Sequence, residues 1–178
     1  GHAGEGVRLI CEWIWDGAIG DVHTIQVGCN RPGDIWKRGI GRPEAQKIPE
    51  GMQWDKWIGP AAYRPFNKLY HPVMWRGFCD FGTGSLGDMG CHQMDPPYWA
   101  LKLNAPESVE ASSTEFNFET YPHASKIHYK FGKRGDMCPV ELIWYDGGLK
   151  PAKPEGLEKG RELKSEGILF VGTKGTIM

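Results

Sequence analysis

"GSLGDMGCHQMDPPYWALKL", residues 84–103, sets an aspartate and a histidine four residues apart in a glycine-rich stretch that runs into two prolines. On a helix, positions i and i+4 share one face, so Asp88 and His92 fall within contact range. A carboxylate beside an imidazole fixes the tautomer and favours the protonated ring, which suits proton exchange with a substrate hydroxyl or carbonyl. The plainer alternative is a surface ion pair of roughly 0.3–0.5 kcal/mol. Gly82, Gly84, Gly87 and Gly90 surround the pair where a solvated helix would use better helix formers. Glycine there implies close approach, either of another backbone or of a ligand.

The stretch predicts a helix from Ser85 to Met94. A second, short helix follows, with Asp95 as its N-cap and Pro96 and Pro97 in its first turn, ending near Asn104. Upstream, Val7, Leu9, Ile10, Trp13 and Ile14 recur at three-and-four spacing, so Glu5 to Asp16 reads as an amphipathic helix stopped by Gly17 or Gly20. Val22 to Cys29 reads as a strand. Downstream, further strands are expected at Ser108–Phe118, Ser125–Phe131, Val140–Tyr145 and Ile168–Val171, with a hairpin at the end of the chain. Alternation is clearest in Lys126-Ile127-His128-Tyr129-Lys130-Phe131, apolar on one face and polar on the other. Closely spaced consecutive strands favour an antiparallel sheet. Gly147 to Gly167 reads as an exposed, charged loop.

Between Asn30 and Thr83 regular periodicity disappears among Pro- and Gly-containing turns. A long irregular segment is either functional or an insertion that packs over the core. It carries Trp36, Trp54, Trp57 and Trp75, and arginines Arg31, Arg38 and Arg76 that could hold a carboxylate or phosphate. Six of the eight tryptophans precede residue 80, which suits a wide core or a pocket for the apolar face of a sugar ring.

The 178 residues allow one domain with a real core. A net charge of -1 gives no electrostatic footprint for nucleic acid or an anionic membrane. No apolar run approaches the ~20 residues of a spanning helix, and no signal peptide is visible. The five cysteines are scattered without a CxxC pair, so thiols in a reducing compartment are expected, with neither a zinc site nor a disulfide framework. His92 and Asp95 lack a third ligand at convincing spacing, and no metal is assigned. Cys91 and His92 are adjacent and point in different directions on a helix, which argues against a thiolate–imidazole couple. No G-x-G-x-x-G occurs, so the chain holds no visible dinucleotide site of its own.

"GTGSLGDMGCHQMD" resembles the glycine-rich D-x-x-x-H-x-x-D signature in the second domain of the Gfo/Idh/MocA oxidoreductases, relatives of glucose–fructose oxidoreductase and inositol 2-dehydrogenase. "GHAGEGVRLICEWIWDGAIGDV" is similar to the helix and strand opening that domain, "NRPGDIW" and "WDKWIGPA" to its substrate-side loop, "YHPVMWRGFCDFGTG" to the approach to the signature, and "GILFVGTKGTI" to a later strand pair. The resemblance covers nearly the whole chain and implies an α+β fold, an open, mostly antiparallel sheet with helices on one face, forming a single C-terminal substrate and oligomerisation domain over residues 1–178, partial at both ends. The N-terminal Rossmann domain and an E-K-P lysine would lie upstream. It implies NAD or NADP as cofactor, bound mainly by that missing domain, and a sugar or polyol as substrate. Carried over by position, His92 is the acid/base, Asp88 orients it or binds a substrate hydroxyl, and Asp95 is structural. Arg31, Trp36, Trp75 and Arg76 are the substrate-binding candidates.

The implied parent is an NAD(P)-dependent sugar or polyol oxidoreductase, the fragment alone being inactive. Alternatives are an NAD-dependent glycoside hydrolase of the same fold and a non-catalytic carbohydrate-binding or oligomerisation module. Other expectations are a homo-oligomer formed through the sheet, no nucleic-acid or membrane partner, and a cytoplasmic location by default, or a periplasmic one given an upstream export signal.

Overall fold

The computed structural model describes residues 1–31, 36 and 39–178. Helix α1 (Glu5–Trp15) leads into strand β1 (Val22–Gly28). Past an irregular region containing the short helix α2 (Trp54–Ile58) and a 3-10 turn (Met74–Gly77) come α3 (Gly84–Gln93) and α4 (Asp95–Ala100). Strands β2 (Ser108–Ser113), β3 (Ser125–Phe131), β4 (Val140–Tyr145), β5 (Gly167–Gly172) and β6 (Thr176–Ile177) complete the chain.

The strands form one open sheet in the order β2-β3-β4-β1-β5-β6. Strands β2, β3 and β4 form an antiparallel meander, as closely spaced strands do, and β5 lies antiparallel to both β1 and β6. The central pair departs from this pattern, since β1 and β4 run parallel. Such a pair needs a long crossover, and the irregular region, two helices and the β2–β3 hairpin supply it. The C-terminal ends of β1 and β4 consequently meet at the same edge of the sheet.

Register explains the layering. Ile127 faces Trp144, which faces Val27, which faces Ile168; Tyr129, Leu142, Ile25 and Phe170 form the next row. These rows meet Cys11 and Ile14 of α1, Leu86 and Met89 of α3, and Ala100 with Leu101 at the end of α4, in one core. The alternate residues Lys126, His128 and Lys130 share the opposite face with Glu141, Ile143 and Tyr145, where His128 Nδ1 lies 2.7 Å from Glu141 Oε1. A second core of Trp54, Ile58, Phe66, Tyr70 and Phe78 organises the irregular region.

Three expected boundaries shift, the first being the end of α4, which stops at Ala100 short of Asn104 as Lys102 turns to φ +50. Strand β2 stops at Ser113, because the Asn117 side chain accepts hydrogen bonds from the Glu119 and Thr120 N–H groups and Phe118 turns to φ +61. Asp95 is not the cap of α4 but its first residue, with Met94 in the cap position. Its carboxylate is 2.7 Å from His2 Nδ1, and that imidazole stacks on Trp99 at 4.4 Å. Asp95 therefore ties the start of the chain to α4, a structural role of another kind. All five cysteines are free. Among the described residues, no helix is long and apolar enough to cross a membrane.

Candidate active site on helix α3

Helix α3 lies at the edge of the sheet where β1 and β4 end. Its entry depends on glycine at two places. At Gly82 a Cβ would collide with the Arg76 backbone, and at Gly84, which has φ +64, it would sit 2.8 Å from the ring of Tyr121. The close approach inferred from the glycines is thus real here, and other parts of the chain supply it. Gly87 faces its own helix's Thr83, and Gly90 has only ordinary contact.

One flank of α3 is buried through Leu86, Met89 and Gln93. The helical period puts Ser85, Asp88 and His92, at i, i+3 and i+7, along one stripe beside that flank. Asp88 and His92 do not bond to each other. Arg76 Nε donates instead to Asp88 Oδ1 at 3.2 Å, and a second guanidinium nitrogen donates to the Val73 carbonyl at 3.2 Å. The same guanidinium lies 4.5 Å over the Trp75 ring, whose Nε1 donates to the Pro72 carbonyl at 3.2 Å. A permanent cation held at several points takes the carboxylate in place of the imidazole. His92 is exposed and makes no hydrogen bond or ion pair among the described residues. The result is an available imidazole one turn beyond a carboxylate whose position is fixed, an arrangement able to accept or return a proton.

The remaining candidates separate. Arg31 sits where β1 ends: its backbone carbonyl accepts from Gly147 N–H at 3.1 Å and its guanidinium donates to Asn30 at 3.0 Å. Trp36 is buried. Arg38, with most of the "NRPGDIW" loop, lies outside the described residues. Thus Asp88, Arg76 and Trp75 are brought together, with His92 along the same helix.

Several polar residues at this edge were not marked by the sequence. Asp146, just past β4, is 2% exposed and accepts hydrogen bonds from Ser125 N–H at 2.6 Å, Ser125 Oγ at 2.8 Å and Trp144 Nε1 at 3.1 Å. Gln93 Nε2 donates to Glu166 Oε1 at 3.0 Å. Beneath them, burial first, and then the Asp146 and Glu166 carboxylates, push the Cys29 thiol up to about 11, although the Arg31 N–H opposes this. No local spacing announces these partners, since turns far apart in sequence deliver them to one place. A polar residue at the end of an otherwise apolar strand, as in Ile143-Trp144-Tyr145-Asp146, was the available signal.

Comparison with known proteins identifies the family. The family model described as "Oxidoreductase family, C-terminal alpha/beta domain" matches residues 6–147. The crystal structure of an oxidoreductase from Thermotoga maritima superimposes with a TM-score of 0.50 at 16% identity, over 98% of this chain and 39% of that one. That likeness speaks for the fold, and the chain spans about two fifths of that structure's length. No curated protein matches. The chain therefore belongs to the Gfo/Idh/MocA oxidoreductase family, whose C-terminal alpha/beta domain it matches.

Proposed function

We propose that this chain is the substrate-side domain of an NAD(P)-dependent oxidoreductase that acts on a sugar or polyol hydroxyl, the Rossmann domain and its lysine being encoded upstream. The observation that carries the reading is the exposed, unengaged His92 one turn from Asp88, whose carboxylate Arg76 holds in place. Family membership supports the oxidoreductase class.

In this reading the dinucleotide is left to the Rossmann domain, since the sequence here carries no G-x-G-x-x-G. A nicotinamide held by the rest of the protein would supply the hydride acceptor. This chain's part is to bind and orient the hydroxyl, with His92 taking its proton and Asp88 accepting a hydrogen bond from a neighbouring hydroxyl. Trp75 and Arg76 offer an aromatic face and a donor beside it, and Arg31 a second donor at the end of β1. Homo-oligomerisation through the open sheet face belongs to the same proposal.

The test is turnover by the protein in its full reading frame, with NAD or NADP and a panel of sugars and polyols. His92→Ala is expected to lower kcat by about 10²- to 10⁴-fold. Unchanged turnover would overturn the assignment and favour a non-catalytic carbohydrate-binding module. Release of an aryl aglycone under catalytic NAD, without NADH accumulating, would instead favour the hydrolase version.

A further inference from the structure

Ser85, in the first turn of α3, is 3% exposed, yet its Oγ has no hydrogen-bond partner among the described residues. Burying an unsatisfied hydroxyl is costly, and alanine would serve the helix better. The residue lines a cavity of about 220 Å³ between the start of α3 and the ends of β3 and β4, whose wall also includes Thr83, Leu86, Tyr121, Ser125 and Asp146.

The cavity's chemistry is specific. No side chain caps α3, and the N–H groups of Gly84, Ser85 and Leu86 precede the helix's first turn of bonding, which begins with Gly87 N–H to the Thr83 carbonyl at 3.3 Å. That end carries partial positive charge and donors. The wall also includes Asp146, whose buried carboxylate accepts hydrogen bonds from Ser125 and Trp144. A hydroxyl both donates and accepts, so a molecule bearing several can accept from the N–H groups of that helix end and pair with Ser85 Oγ. The Leu86 side chain and the Tyr121 ring provide apolar surface for its C–H face. The Tyr121 ring continues outward to Phe116, 6.5 Å away, and from there to Phe118 at 4.6 Å.

Position adds the second half of the argument. Ser85 precedes His92 by seven residues on the same stripe, about 10 Å along the helix. A hydroxyl reacting at His92 can thus belong to a molecule whose far end reaches Ser85. We propose that this cavity is a subsite for the non-reacting end of a polyhydroxylated substrate, with Ser85 Oγ bonding one of its hydroxyls and Tyr121 packing against its carbon face. The inference rests on the function proposed above and names which part of the substrate determines selectivity.

The experiment is Ser85→Ala in the full-length protein. Without substrate, the variant should melt at the same temperature or higher, because an unsatisfied hydroxyl has been removed. With the preferred sugar or polyol, KM should rise roughly three- to tenfold with a smaller change in kcat, the loss of one hydrogen bond. An unchanged KM would overturn the subsite while leaving the reaction standing. So would competitive inhibition by inorganic phosphate that Ser85→Ala relieves, since that marks an anion site. If the wild type turns over no sugar or polyol, the functional reading fails, and the cavity is tested alone by NMR titration with myo-inositol. Shifts at the Ser85, Tyr121 and Ser125 amides would support the site, and their absence would overturn it.

Discussion

The sheet body and the irregular region between residues 39 and 83 are held together by different physics. In the body, rows of Ile, Val, Leu, Phe and Trp from neighbouring strands bury themselves against three helices, and the main-chain ladder satisfies the backbone. The irregular region has little ladder and relies on side chains with fixed geometry. Trp54 stacks on Trp57 at 4.8 Å, meets the edge of Phe66 at 5.2 Å, and donates from Nε1 to the Arg64 carbonyl at 2.7 Å. Arg64, 2% exposed, pairs with Asp80 and Glu119, reaches the Tyr70 hydroxyl at 3.3 Å, and lies 5.1 Å over the Phe81 ring. Burial works against its charge, but the hydrogen bonds to Tyr70 and Glu119 outweigh that and hold its pKa above the ordinary value. Burial of apolar area tolerates many substitutions, whereas a buried cation with named partners tolerates few.

The sharpest way to break this comparison is Arg64→Ala. Removing the cation from Asp80, and leaving Glu119 only the more exposed Arg42, should destabilise the irregular region by about 3–5 kcal/mol. Native-state hydrogen exchange should show residues 52–82 opening while β1, β4 and β5 stay protected. If protection falls equally everywhere, the two regions are one cooperative unit. Next comes Leu142→Ala in the fully buried centre of β4, expected to cost about 3 kcal/mol and to lower protection throughout the sheet. A loss confined to β4 would contradict a shared core.

The smallest effect concerns pH. The Cys29 thiol is raised from 9.0 to about 11, so the folded chain keeps a proton that the unfolded chain releases. Whatever stability this proton accompanies is present below pH 9 and lost as pH rises toward 11. Urea unfolding at pH 8, 9 and 10 should show a declining midpoint, with a shallower decline in Cys29→Ala. Tyr70, raised by burial against the pull of Arg64, adds alkaline sensitivity in the irregular region. An identical slope in the variant would assign the decline to such phenols or to the Cys11 and Cys79 thiols, which burial also raises.

What could be read in advance follows the same division. The β3 alternation and the apolar run of β4 give those strands their observed limits, and the three-and-four spacing of Val7, Ile10 and Ile14 gives α1 to within a residue at its end. These signals are periodic and local. The β1–β4 pairing is neither, because strand order depends on where a long crossover returns. The second core escaped for a similar reason: Trp54, Phe66, Tyr70 and Phe78 have no common period, and punctuating prolines and glycines hide their convergence. At the site, helical spacing placed Asp88 and His92 on one face but gave Asp88 the wrong partner. Arg76 was already a candidate on its own, yet only the 3-10 turn and the Gly82 approach bring it to the carboxylate. Ser85 and Asp146 were invisible as a pair, being joined through a cavity and not through spacing.

The parallel central pair also bears on the order in which the molecule can be built. Thr24 of β1 is matched with Glu141 of β4, more than a hundred residues downstream, and with Val171 of β5 further still. During synthesis β1 leaves the ribosome long before either neighbour exists, with Ile25 and Val27 and both edges of its backbone unpartnered. Both β4 and β5 must be made before the middle of the sheet can close. High separation between contacting residues slows folding and prolongs exposure of unpaired strands. For this molecule, a slower pace of translation between β1 and β5 lengthens the time for which Ile25 and Val27 stay exposed.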